Sequence, residues 1–110
     1  MAPPQKELLH GTLETLILKT LANGPRHGYG IAKWLEKTSR DGLQIEDGPL
    51  YPALYRLENR RWIAAEWTMS ELGRRVKTYR LTAAGRKQLA KSLKEWSSFA
   101  ASITRVLGRG

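Results

Sequence analysis

DGPLYPALYRLENRRW, residues 47–62, puts two prolines, a glycine and two tyrosines at the head of a leucine-bearing segment. On a wheel turning about 100° per residue, with Leu50 at zero, Leu54 falls near about 40° and Leu57 near about 340°. Ala53 lies beside them, so one compact apolar stripe faces a core. Tyr55, Asn59 and Pro52 lie opposite, with Tyr51 and Arg56 on the flanks. A proline costs little in a first helical turn, where its missing N–H would have no partner anyway. The stretch therefore predicts a helix that starts at Gly48 or Pro49, with Pro52 at its third or fourth position. Its outward face carries tyrosines, an asparagine and arginines instead of an idle Glu/Lys mixture. Tyr51 and Tyr55 as ordinary half-buried aromatics remain the alternative.

Upstream, Leu9, Leu13, Leu16, Ile17 and Leu21 recur at helical spacing, preceded by Pro3 and Pro4 and stopped by Asn23-Gly24-Pro25. A second helix is expected from about His27 to Thr38, burying Ile31, Trp34 and Leu35. Its glycines, Gly28 and Gly30, weaken it by roughly 1 kcal/mol each relative to alanine, which suits a close backbone approach at that point. Asp41-Gly42 turns the chain, and Leu43 to Ile45 could form a very short extended piece.

Downstream, Trp62 to Thr68 alternates, with Ile63, Ala65 and Trp67 on one side, and Val76 to Leu81 is a second β-rich run. The polar, Gly-containing segment Met69 to Arg75 joins them as a hairpin. Arg74, Arg75, Lys77 and Arg80 crowd this hairpin and repel one another unless an anion sits among them. Charge that guards an edge strand is the competing explanation. Three helices with a short turn before the third, then a hairpin, describe a winged helix-turn-helix, α+β but mostly α. In that geometry the third helix enters the major groove, and the open N–H groups at its start can hold a phosphate.

Thr82 is the expected N-cap of a last helix from Ala83 to Leu107. Leu89, Leu93, Trp96, Ala100, Ile103 and Leu107 step by four and three residues, with Phe99 and Val106 widening the stripe. That is about three heptads of seam, more than a small winged domain needs. A basic helix lying on an anionic membrane is the other reading. The serines at 92, 97, 98 and 102 and the narrow stripe favour a homodimer. The expected organisation is residues 1–82 as the DNA-binding unit and 83–110 as the dimerisation helix, packed on one core.

The 110 residues carry 19 Lys and Arg against 10 Asp and Glu, a formal charge of +9 that favours a polyanionic partner. With no cysteine, disulfides and thiolate chemistry are excluded. The two histidines, His10 and His27, stand in no metal-ligand spacing, and no phosphate loop or nucleophile elbow occurs. No enzyme activity, metal or cofactor is expected. No apolar run approaches the roughly 18 residues of a membrane span, so a cytoplasmic protein without a membrane partner is expected.

Taken in order, LLHGTLETLILKTLANGPRHGYGIAKWLE, GPLYPALYRLENRRWIAAEW and GRRVKTYRLTAAGRKQL resemble the PadR family of bacterial transcriptional regulators. The resemblance runs from about Leu8 to Leu107 and is most specific in HGYGI, LYPALYRLE and YRLTAAG. It implies a dimeric winged-helix repressor that binds a pseudo-palindromic promoter site in double-stranded DNA, and that a small molecule often releases. By position, Tyr51 matches a DNA-contacting tyrosine, Tyr29 lies near the phosphate backbone, and Arg75 and Lys77 fall in the wing. The DNA-binding set is therefore Tyr29, Pro49, Tyr51, Pro52, Tyr55, Arg56, Asn59, Arg74, Arg75 and Lys77. The chain looks like a short-form member without a separate effector domain.

Two departures stand out. Pro49 occupies a place where the family usually offers a Ser or Thr hydroxyl, and Thr78-Tyr79 replaces the usual aromatic pair. The resemblance also implies, for Trp96, a place in an apolar cavity at the dimer centre where a flat aromatic effector stacks. A plain seam residue is the other role open to it. A non-specific, charge-driven nucleic-acid-binding protein is the alternative function, though it leaves the Tyr/Asn helix face without a purpose.

Overall fold

The computed structural model describes residues 11–108. The expected Pro3, Pro4, Leu9 and His10 features lie outside these residues. Helix α1 (Leu13–Ala22) buries Leu13, Ile17, Leu18, Leu21 and Thr20. It turns more than one stripe inward because the next two helices, the second wing strand and the last helix all pack against it. Thr20 is fully buried, and its hydroxyl is satisfied by donating to the Leu16 carbonyl at 2.8 Å.

Strand β1 is only Arg26–His27, followed by helix α2 (Gly28–Thr38). His27 caps α2, its Nδ1 accepting from the Gly30 N–H at 3.1 Å. Ile31, Ala32 and Leu35 are buried, and Trp34 packs partly against the same core. After α2, positive φ occurs at Arg40 and Asp41, so the turn sits slightly earlier than Asp41-Gly42. Leu43 to Ile45 forms no strand. Side chains hold that segment instead: the Ser39 hydroxyl accepts from the Leu43 N–H at 3.0 Å and a Glu36 carboxylate oxygen from the Ile45 N–H at 3.1 Å.

Helix α3 (Asp47–Asn59) buries Leu50, Ala53, Leu54 and Leu57, the stripe expected from the wheel. It starts earlier than expected, with Glu46 as N-cap and Asp47 as first residue. Pro52 is consequently the sixth helical residue and sits inside the helix. Its ring leaves the Gly48 carbonyl without its usual donor four residues on, on the exposed side of the helix. At the far end the Trp62 N–H bonds the Leu57 carbonyl at 3.1 Å and the Arg61 N–H the Glu58 carbonyl at 2.9 Å. This is a Schellman closure, with Arg61 at φ 62° where glycine is usual.

Strands β2 (Ile63–Met69) and β3 (Arg75–Leu81) pair antiparallel from Ile63 with Leu81 to Met69 with Arg75. β1 adds to the other edge of β3, Arg26 opposite Tyr79 and His27 opposite Thr78. The hairpin is thus a three-stranded sheet in the order β1-β3-β2. Two residues after a Gly-Pro turn carry no period-2 signal, so β1 escapes sequence reading.

Helix α4 (Ala83–Leu107) has the bounds expected from the sequence, and the Thr82 hydroxyl accepts from the Gly85 N–H at 3.0 Å. The proton of that hydroxyl is donated toward the Arg61 and Trp62 carbonyls, at 2.7 and 3.0 Å, so one side chain ties the helix start to the turn that precedes β2. Gly85 is buried there, and a Cβ on it would overlap the Trp62 carbonyl oxygen and stand 2.7 Å from Leu81 Cδ1. Leu89, assigned by spacing to the dimer seam, is 7% exposed and belongs to the chain's own core. Beyond it α4 leaves the core, and Leu93, Trp96, Phe99, Ile103, Val106 and Leu107 stand exposed on the single chain.

Candidate nucleic-acid interface

Helix α3 is braced on both flanks. On one side Arg56 Nε meets Glu14 Oε2 at 2.7 Å and Arg60 Nη1 meets Glu14 Oε1 at 2.8 Å, tying α3 to α1. On the other, Lys77 Nζ of β3 meets Glu58 Oε1 at 3.2 Å. Each exposed pair is worth at most about 1 kcal/mol, so their larger consequence is orientation. Between the braces, the arc facing solvent is Pro52, Tyr55 and Asn59, with Gly48 at its head.

The expected residues divide accordingly. Tyr55 is 66% exposed and projects from the middle of the arc. Tyr51, 45% exposed, lies on the flank with Glu58, its ring end against Gly28. A Cβ on Gly28 would stand 2.8 Å from Tyr51 Cε1 and Oη. The close approach inferred from the α2 glycines is therefore to a side chain, not to a backbone; Gly30 similarly faces the His27 ring. Arg56 and Lys77 are engaged in the flanking ion pairs, whereas no ion pair is found for Arg74 or Arg75 among the described residues.

The start of α3 is poorly equipped for a phosphate. Glu46 and Asp47 place two carboxylates there and Pro49 has no N–H, so the helix end is already complemented by negative charge. At α2, Tyr29 is exposed, with the His27 ring at 6.3 Å and Lys33 Nζ 5.3 Å from its centroid. In the wing, Gly73 takes φ +78° and the Ser70 N–H bonds the Arg74 carbonyl at 2.8 Å, closing the tip. Arg75 lies over the Trp67 ring at 5.0 Å. Burial pushes the Tyr79 hydroxyl above its ordinary range, with the neighbouring Lys77 charge acting against it.

Two members of this arrangement, Glu14 and Glu58, have no role in the sequence expectations, and Trp67 enters them only as a strand residue. Glu58 shares the Tyr51 side of the wheel, which placed it off the core. Nothing in the sequence pairs Glu14 with residues more than forty positions away. No helix among the described residues is long and apolar enough to cross a membrane, and no cluster of metal-ligating side chains occurs among them.

A family model described as the transcriptional regulator PadR-like family matches residues 17–91, which hold α2, α3, the wing and the first turns of α4. The chain belongs to the PadR-like family of transcriptional regulators. A transcriptional regulator of Mycobacterium tuberculosis is 30% identical over 99 residues, spanning 89% of this chain and 88% of that one. A solved transcriptional regulator from Clostridium thermocellum superposes with a TM-score of 0.85 at 27% identity, covering 93% of this chain and 99% of the other. A PadR family regulator from Eggerthella lenta gives 0.79 at 31% identity over 96% and 89%. The PadR-like winged helix and its DNA-binding class thus stand on both sequence and fold, and the three helices, wing and long last helix described above are its parts.

Proposed function

We propose that this PadR-like regulator is a cytoplasmic, sequence-specific repressor that binds a pseudo-palindromic promoter site as a homodimer. The observation that carries it is the braced α3. Its outward arc of Pro52, Tyr55 and Asn59 is held between the Glu14 and Lys77 ion pairs, beside a basic wing. Tyr51, Tyr55 and Asn59 face base edges, while Tyr29, Arg74 and Arg75 meet the backbone and the adjoining groove. Arg56 and Lys77 act chiefly by fixing the angle of α3, and Pro49 and Pro52 stiffen its leading turns.

Dimerisation through residues 83–110 is supported by the exposed face of α4, where Leu93, Trp96, Phe99, Ile103, Val106 and Leu107, with the half-buried Ala100 among them, await a partner. A two-fold pair sets two α3 helices one DNA turn apart, about 34–36 Å. The Trp96 and Phe99 rings, 6.2 Å apart and tilted by 43°, would line the centre of that pair and offer a flat aromatic effector two surfaces. Footprinting on the DNA upstream of the protein's own gene tests the reading. Two symmetric protected half-sites one turn apart are expected. Uniform protection without a discrete site would replace it with non-specific, charge-driven binding.

A further inference from the structure

Trp67 and Arg75 are diagonal neighbours across the wing strands, and the guanidinium lies 5.0 Å from the indole centroid. Trp67 is 59% exposed, Met69 opposite Arg75 is 66% exposed, and Leu72 at the tip is 85% exposed. An apolar strip thus runs along a hairpin that otherwise carries Arg74, Arg75, Lys77 and Arg80. Burying it takes a partner with apolar surface set beside negative charge. The DNA minor groove, walled by sugars and edged by phosphates, has that character.

The register places Trp67, Met69, Arg75 and Lys77 on one face of the sheet, the face from which Lys77 reaches Glu58 of α3. A duplex engaged by α3 therefore runs alongside this strip. Lys77 is occupied by Glu58, whereas Arg75 meets no carboxylate among the described residues. The indole stands against the Arg75 guanidinium, and no carboxylate among the described residues engages its N–H groups. Without the ring, a flexible arginine would sample many rotamers and pair with any phosphate.

We infer that Trp67 is a positioning residue for DNA selectivity: it holds Arg75 edge-on for the minor groove next to the segment that α3 reads. Arginine in that groove favours the narrow, strongly negative grooves of A·T-rich DNA. The inference rests on the α3 reading above and adds a second source of sequence preference to it.

The test uses a duplex that the full-length protein selects from a random-sequence pool. The base pairs that the wing faces, just outside the α3 segment, are made A·T, G·C or inosine·C. Inosine·C presents the minor groove of A·T with the major groove of G·C, so it separates the two grooves. For the wild-type protein, G·C flanks should weaken binding about tenfold relative to A·T, within the range of a mismatched base pair. Inosine·C flanks should restore it.

Trp67→Ala should bind all three flanks within about twofold while keeping its preference for the α3 segment, and Trp67→Phe should restore discrimination. Arg75→Lys, which keeps the charge without the planar fork, gives an independent arm and should also lose discrimination. The inference is overturned if the wild type treats the three flanks alike, or if Trp67→Ala and Arg75→Lys still distinguish them. A wild-type protein that selects no sequence from the pool overturns the α3 reading, and this inference with it.

Discussion

Tyr51 rests its phenol end on Gly28, at a spot where any larger residue would place its Cβ 2.8 Å from Tyr51 Cε1 and Oη. Two helices, α2 and α3, are thereby locked in register by the absence of one methyl group. The glycine costs helix propensity at the start of α2, and what it permits is a fixed position for a half-exposed tyrosine on the reading helix.

Gly28→Ala should therefore leave the fold standing and impair DNA binding. The crowded atoms belong to the far end of a flexible side chain, which can swing into solvent. Alanine also gains up to about 1 kcal/mol of helix propensity. The melting temperature should stay within a few degrees while affinity for the selected site falls by about 1–3 kcal/mol, as for Tyr51→Ala. Gel shifts beside thermal melts check this; an unchanged affinity would remove the Tyr51 position from the site.

Gly85→Ala should behave in the opposite way. Its Cβ would meet the Trp62 carbonyl and Leu81 Cδ1, in the first turn of α4, where the Thr82 cap fixes the backbone. Neither neighbour can move without opening the α4–β2 junction. A loss above about 4 kcal/mol is expected, a large share of the roughly 5–15 kcal/mol that holds a domain of this size folded. Chemical denaturation or recovery of soluble protein would show it.

Arg61→Gly should stabilise. Arg61 takes φ 62° at the position after the α3 C-cap, where an L side chain crowds the following carbonyl. Relief of about 1 kcal/mol is expected, reduced by the larger unfolded-state entropy of glycine. A higher urea midpoint with an unchanged slope is the signature.

These glycine and arginine positions mark where sequence reading stops. The fold was legible because Leu50, Leu54 and Leu57 form one stripe, Thr82 precedes a long heptad pattern, and two alternating runs flank a glycine tip. What failed was non-local. β1 is two residues long and exists only because β3 offers it an edge. Leu89 continues the seam's spacing perfectly, yet α1 packs near it and claims it for the core. The start of α3 was misplaced by one or two residues because an acidic cap is a weaker signal than a proline. Of the candidate site, residue types and helix faces were visible beforehand. The Glu14 and Glu58 braces, which decide which arginines and lysines are free, depend on tertiary contacts.

Alkaline stability offers a further check. Burial raises the Tyr79 hydroxyl above its ordinary value of about 10, so the fold favours the neutral phenol. The sign follows: stability should hold below pH ~10 and fall as pH rises from there toward the raised folded value. Tyr79→Phe cannot ionise, so its loss of stability over that interval should be smaller. Urea midpoints collected across it give the comparison, and parallel losses in both proteins would show that Tyr79 contributes nothing.

The most direct measurement is competition at fixed salt between the upstream or pool-selected duplex and random-sequence duplex of equal length. A sequence-specific regulator should need an excess of random duplex of at least about 10³-fold to lose half its complex. The Tyr51→Ala and Tyr55→Ala variants should need markedly less. If random duplex displaces the wild-type protein at equal concentration, α3 reads no sequence, and the chain binds DNA through its charge alone.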